Sequence, residues 1–234
     1  MTDRRAWLPQ IAAAKQQGYI PVIAEIKASS PAEGDLIGNR SIADIVAAYE
    51  AGGAACISVV TGQWFGGHID MLSETAATTS LPVLRKDLIV NLDQIKQSQD
   101  YGANAVLLTR KILRPSHLAK MIELCLNLGI TPFIEVASQD EMADITSDNR
   151  IIVAIANRDI GRKELDINSG YKSLNLIDHL HANVGARISA SGISSAEDAS
   201  KLIQAGFDGL LIGTSILKAA NPAQAVREIT SIHQ

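Results

Sequence analysis

Cysteine, aromatic side chains and surplus charge are all scarce in this 234-residue chain, and each scarcity removes a class of protein. The only cysteines, Cys56 and Cys125, fall in an apolar strand pattern and an apolar helix pattern. Their spacing fits neither a metal site nor a disulfide framework, so both read as buried thiols. A formal net charge of −4 and a pI near 5.7 leave no basic face for a nucleic acid. No apolar run is long enough to span a bilayer, and Met1-Thr2-Asp3-Arg4-Arg5 opens a mixed helix instead of a leader. The expected location is the cytoplasm, with no membrane partner. His68, His117, His179, His181 and His233 lack metal-ligand spacing, and only the loop of His68 borders the region of interest below. No nucleophile elbow, P-loop or dinucleotide fingerprint occurs. With aromatics at 4%, Trp64, Phe65 and Phe133 stand out.

What the chain has in quantity is apolar residues, 47% of the total, in short runs that alternate with helical patterns. The runs are Val22–Lys27, Cys56–Val60, Val83–Lys86, Ala105–Leu108, Thr131–Val136, Ile151–Ala156, Arg187–Ala190 and Gly209–Ile212. Between them, helices are expected over Ile42–Ala51 behind a Ser41 cap, from about Ile69, over Leu92–Tyr101, from Pro115 to Leu128, and over Gln139–Ile145. Further helices follow a cap near Ser194-Ser195, Gly213-Thr214-Ser215, and Pro222. A polar, glycine-containing loop is expected from Ala32 to Arg40. Strand–helix alternation of this length predicts a (β/α)8 TIM barrel, one domain over 1–234, with residues 1–20 as an N-terminal helical extension. A doubly wound open sheet is the alternative.

In a (β/α)8 barrel, reacting groups come from the C-terminal strand ends and the loops after them. Side chains alternate along a strand, so Glu25 and Lys27 share the inward face with Ile23, Lys86 with Leu84, and Glu135 with Phe133. A single charge pair at a strand end is often only a structural ion pair. Charges of both signs converging from three strands favour a site. A crowded or desolvated lysine becomes a usable general acid near neutrality, and a carboxylate can orient it or take a proton. At the other side of the mouth, Ser191-Gly192 and Gly213-Thr214-Ser215 follow the last two strands and suit an anion.

Ala24-Glu25-Ile26-Lys27-x-x-Ser30-Pro31, Ser58-Val59-Val60-Thr61, Phe65-Gly66-Gly67 and Leu84-Arg85-Lys86-Asp87 together resemble the indole-3-glycerol phosphate synthase family. So do Ile134-Glu135-Val136, Asn157-Arg158-Asp159, Ser191-Gly192-Ile193 and Leu211-Ile212-Gly213-Thr214-Ser215. The resemblance implies an indole ring closure, aryl carbon onto ketone, with loss of carbon dioxide and water and without metal or organic cofactor. It implies Lys86 as general acid, Glu135 as general base, Lys27 as carboxylate holder or second acid, and Glu25 as the group that orients the lysines. Ser30, Phe65, Leu88, Leu108, Ala156, Asn157, Arg158, Ala190 and Ser191 would contact substrate, and Gly192, Gly213 and Thr214 would bind its anion.

Three positions depart from the family pattern. Ala190 stands where the family has Glu, Ala156 where it has the first Asn of Asn-Asn-Arg-Asp, and Leu88 where it has an aromatic. The family's N-terminal extension also reads as longer, so part of a cap over the barrel is expected to be missing. By parity Ala156 and Ala190 face the mouth, which becomes wider and greasier while the lysines and glutamates stay. That combination resembles a divergent branch, the cyclase of the scytonemin pathway. It closes a ring from indole carbon 2 onto the ketone of an indolyl β-keto acid made from indole-3-pyruvate and 4-hydroxyphenylpyruvate. The alternatives are an authentic synthase of tryptophan biosynthesis and a catalytically silent barrel that only binds ligand. A small aryl or indolyl keto acid is the expected partner, with the chain as monomer or homodimer.

Overall fold

The computed structural model describes residues 6–158, 172–180 and 183–232. Its strands are β1 (Val22–Ile26), β2 (Ser29–Ser30), β3 (Gly34–Asp35), β4 (Cys56–Val60), β5 (Val83–Lys86), β6 (Ala105–Thr109), β7 (Thr131–Val136), β8 (Asp148–Ala156), β9 (Val184–Ala190) and β10 (Gly209–Ile212). The helices are α1 (Trp7–Gln16), α2 (Ile42–Ala51), α3 (Asp70–Thr78), α4 (Leu92–Asp100), α5 (Pro115–Asn127), α6 (Gln139–Ala143), α7 (Lys172–Leu176), α8 (Ala196–Gln204), α9 (Thr214–Lys218) and α10 (Pro222–Thr230). Strands β1 and β4 to β10 form a closed parallel barrel, with β1 flanked by β4 and β10. This is the expected (β/α)8 architecture.

Local chemistry sets the element boundaries. Ser41 and Asp44 form a reciprocal capping box at α2, Ser195 and Asp198 one at α8, and Asn91 and Gln94 one at α4. Pro115 and Pro222 occupy first-turn positions, where a missing N–H costs nothing. Strands β8 and β9 begin earlier than their apolar runs, because Asp148 and Val184 already pair in the ladder. The loop read from Ala32 to Arg40 contributes β3, which folds back antiparallel onto β2 as a small hairpin beside the mouth.

Alternation divides the apolar residues into two layers. Ile23, Leu84, Leu107, Phe133, Ala154, Ile188 and Leu211 fill the barrel, whereas Val22, Val83, Leu108, Ile134, Val153 and Leu210 pack between sheet and helices. Helix α1 completes the inner layer. Trp7 and Ile11 are buried within it, and the Trp7 ring meets Phe133 edge-on at 5.7 Å and 71°. Gly185, at the start of β9, admits α1: a Cβ there would lie 2.7 Å from a methyl of Leu8. The N-terminal segment therefore seals the floor of the barrel, at the strands' N-terminal ends.

Candidate active site

Glu25 organises the mouth. It lies inward on β1, 3% exposed, and its carboxylate ion-pairs with the Lys86 ammonium at 2.8 Å and the Lys27 ammonium at 3.7 Å. Lys27 is buried, with Nζ 5.0 Å from the centroid of Phe65, so an aromatic face supplies part of the surroundings that water would otherwise give it. Glu135, on β7, is buried as well and accepts a 3.5 Å hydrogen bond from Thr109 on β6. Beneath Glu25, the Tyr49 hydroxyl donates to its carbonyl at 2.9 Å. Burial, and then the negative charge of Glu25, push the Tyr49 pKa well up, so that hydroxyl stays a donor. Buried charges are tolerable only when paired, and here one carboxylate serves two ammonium groups.

The glycine turns after β9 and β10 open onto the same space. A cavity of about 330 Å³ is lined by Glu25, Lys27, Arg158, Ser191, Gly192, Gly213 and Thr214, with Glu33 and Lys218 among its other walls. Ser191 has φ +67° and Gly192 φ +72°, consecutive left-handed residues that fold the chain back over the strand end. Ser215 ties the two turns together by donating to the Ile193 carbonyl at 2.9 Å. Gly213 is required by Glu25, because a Cβ at that position would lie 2.6 Å from its Oε1. The hairpin is held across the cavity edge by an ion pair between Glu33 and Lys218 that the sequence reading did not anticipate.

Ala156 and Ala190 are buried at the ends of β8 and β9 and oppose each other in register. Both follow inward-facing neighbours, Ala154 and Ile188. Ser30 is buried in the hairpin, where its hydroxyl accepts from the Glu33 N–H at 3.2 Å, and Leu88 is half-buried in the turn after β5. Two expected contacts are corrected. Leu108 points outward into the helical layer, and Leu107 and Thr109 are the β6 residues that share the inner face. Asn157 also points away from the mouth: its amide donates to Ser189 Oγ at 3.0 Å and the Ser191 carbonyl at 2.9 Å, and accepts from the Ser173 N–H at 2.8 Å. That amide holds the β8 and β9 ends together, with both of its N–H groups engaged. Asp159, His181 and His233 lie outside the described residues. His68 is solvent-exposed beside Asp70. Among the described residues, no three His, Cys, Asp or Glu side chains gather into a group able to hold a metal ion.

A family model described as indole-3-glycerol phosphate synthase matches residues 4–229. The chain belongs to that family. It is 36% identical over 212 residues to the indole-3-glycerol phosphate synthase of Pyrococcus furiosus, covering 89% of this chain and 90% of the relative. It is 35% identical over 209 residues to the synthase of Aquifex aeolicus, covering 89% and 80%. With the tryptophan biosynthesis protein TrpCD of Archaeoglobus fulgidus it shares 36% over 216 residues, 92% of this chain and 38% of that one. Since 90% of the Pyrococcus synthase aligns, a short N-terminal segment does not set this chain apart from its family. The family's enzymes are decarboxylating ring-closing lyases acting on small molecules. None of these three relatives is named as a scytonemin cyclase.

Proposed function

We propose that this family member closes a carbon–carbon ring on an indolyl β-keto acid of the scytonemin type, with loss of carbon dioxide and water. The observation that carries the reading is the Ala156–Ala190 pair, two buried methyl groups side by side at the mouth where the family pattern has Asn and Glu. Loss of one preorganised polar group typically costs about 100- to 1000-fold in rate. Two such losses disfavour the family's polyhydroxylated phosphate substrate, while Glu25, Lys27, Lys86 and Glu135 keep the acid and base that the ring closure needs. Lys86 protonates the ketone oxygen as indole carbon 2 attacks, and Glu135 takes the proton that this carbon gives up as aromaticity returns. The new alcohol leaves as water with a proton from Lys27, or from Lys86 once the proton held by Glu135 has returned to it, and the electron pair freed as carbon dioxide departs forms the new double bond. Glu25 keeps both ammonium groups turned toward the reacting oxygen. Phe65 and Leu88 line the aryl side. Arg158, Ser191, Gly192, Gly213 and Thr214 receive the carboxylate or the phenol end. The enzyme works in the cytoplasm, as a monomer or homodimer, without a cofactor.

A second reading has a specific observation behind it. The names of the relatives, together with the retained turns at Gly192 and Gly213, favour an authentic indole-3-glycerol phosphate synthase. One paired assay separates the two. Purified protein is given the indolyl β-keto acid in one tube and the carboxyphenylamino-deoxyribulose phosphate in another, and products are read by mass. A tricyclic ketone in the first tube alone is the expected result. Efficient indole-glycerol phosphate formation in the second, with an inert first tube, would transfer the chain to the second reading.

A further inference from the structure

Five charged side chains are buried among the described residues: Glu25, Lys27, Lys86, Glu135 and Arg85. Glu25, Lys27 and Lys86 are joined by ion pairs at the mouth, and Glu135 lies near the C-terminal end of β7. Arg85 lies apart from them, because its parity on β5 turns it outward, toward α4. There its guanidinium donates to Thr61 Oγ1 at 3.2 Å, to Asp87 Oδ2 at 3.0 Å, to Gln97 Oε1 at 2.9 Å and to Ser98 Oγ at 3.3 Å. Thr61, at the end of β4, donates its hydroxyl to the same Asp87 oxygen at 2.7 Å. Its backbone N–H donates to the Lys86 carbonyl at 3.1 Å. The other Asp87 oxygen accepts from the Leu88 N–H at 2.8 Å.

Lys86 is thus gripped on both sides from outside the barrel wall, at its own carbonyl and at the next residue. Stability alone is a poor reason for this arrangement. A buried ion pair gains little or nothing over apolar side chains of the same volume, and Val83, two residues before Arg85 on the same outward face, shows that apolar packing fits there. The network's distinctive property is where it acts, on the main chain flanking the lysine that contacts Glu25 at 2.8 Å.

We infer that Thr61, Arg85 and Asp87 form a positioning clamp that fixes the β5 end so that the Lys86 ammonium stays on Glu25 and faces the bound ketone. They act through Lys86 and do not touch substrate. The catalytic half of this inference rests on the proposed role of Lys86 as the acid; the geometric half does not. Its test therefore uses two readouts on the full chain. Thr61→Val removes the hydroxyl and keeps the backbone bond, Arg85→Met removes the fork, and Thr61→Ser restores the hydroxyl.

Competitive acetylation with acetic anhydride, read peptide by peptide by mass spectrometry, compares Lys86 with Lys27 in each protein. A loosened clamp is expected to raise Lys86 labelling several-fold relative to Lys27 in Thr61→Val and Arg85→Met, and Thr61→Ser should restore the native ratio. With the keto acid, kcat should fall roughly 10- to 100-fold at nearly constant KM, the penalty of a small misplacement. Unchanged labelling in Thr61→Val overturns the clamp, whether or not Arg85→Met folds. So does a lowered melting temperature with native labelling and native kcat. If labelling responds but Lys86→Ala turns over normally, the clamp stands and the acid assignment falls.

Discussion

The floor and the mouth of this barrel are the two ends of the same strands, and they spend burial differently. At the floor, Trp7, Ile11, Cys56, Phe133 and Ala186 form an apolar plug capped by α1. At the mouth, Glu25, Lys27, Lys86 and Glu135 are buried almost as deeply and contribute charge where hydrocarbon would hold the fold better. Residues a few positions apart thus answer to different demands, Ile23 to packing and Lys27, in the proposed mechanism, to chemistry. Changes at the floor should register in stability and changes at the mouth in turnover, and the following experiments press on that separation.

The largest effect is expected from Lys86→Ala. Removing a positioned general acid should lower kcat on the keto acid by about 100- to 10,000-fold, with an unchanged circular dichroism spectrum. Substantial residual turnover would move the acid role to Lys27. At the opposite end, Trp7→Ala opens a cavity against Phe133 and should cost about 3–5 kcal/mol in urea unfolding. Its kcat, measured where the variant is still folded, should stay near native, and a parallel collapse of kcat would dissolve the separation between the two ends. A more moderate change follows from Ala190→Glu, which refills the mouth beside Ala156. Turnover of the indolyl acid should drop roughly 10- to 100-fold, the scale of a misfit in a shaped pocket. Equal rates for the variant and the native protein would mean that the methyl pair does not contact substrate.

The smallest effect concerns the thiols. Burial pushes Cys125 up to about 12 and Cys56 well above its ordinary value of 9.0, so neither should react with iodoacetamide at pH 8 until the chain unfolds. Because the fold favours the protonated thiol, its contribution to stability is complete below pH 9.0 and is lost as pH rises toward about 12. Urea midpoints should therefore decline over that window, and rapid alkylation of Cys56 in folded protein would mean that the floor is open.

Strand parity made much of the mouth legible in the sequence. A period of two residues told which of Glu25, Lys27, Lys86, Glu135, Ala156 and Ala190 shared a face with a core neighbour, and a closed barrel leaves that parity nowhere to slip. Where the reading failed, other forces had intervened. Leu108 was carried over by resemblance, although Leu107 has the parity of the inner face. Asn157 looked like a substrate contact because it is polar at a strand end, but Ser173, Ser189 and Ser191 claim its amide. The seat of α1 was invisible because it depends on partners far along the chain, among them Gly185 and Phe133. The Arg85 network had one local signal that went unread, an arginine on the outward face of an otherwise apolar strand.

The seat of α1 also has a consequence for biosynthesis. This helix is synthesised before every strand of the barrel, yet the surfaces that receive it include β9, and Lys15 finds its ionic partner in Asp208, just before β10. β1, likewise early, gains its second neighbour only when β10 emerges. The seat of α1 is therefore complete only once β9 and β10 have been translated, and a nascent polypeptide halted before β9 offers Trp7 the side of Phe133 but not the wall that Ala186 and Ile188 supply.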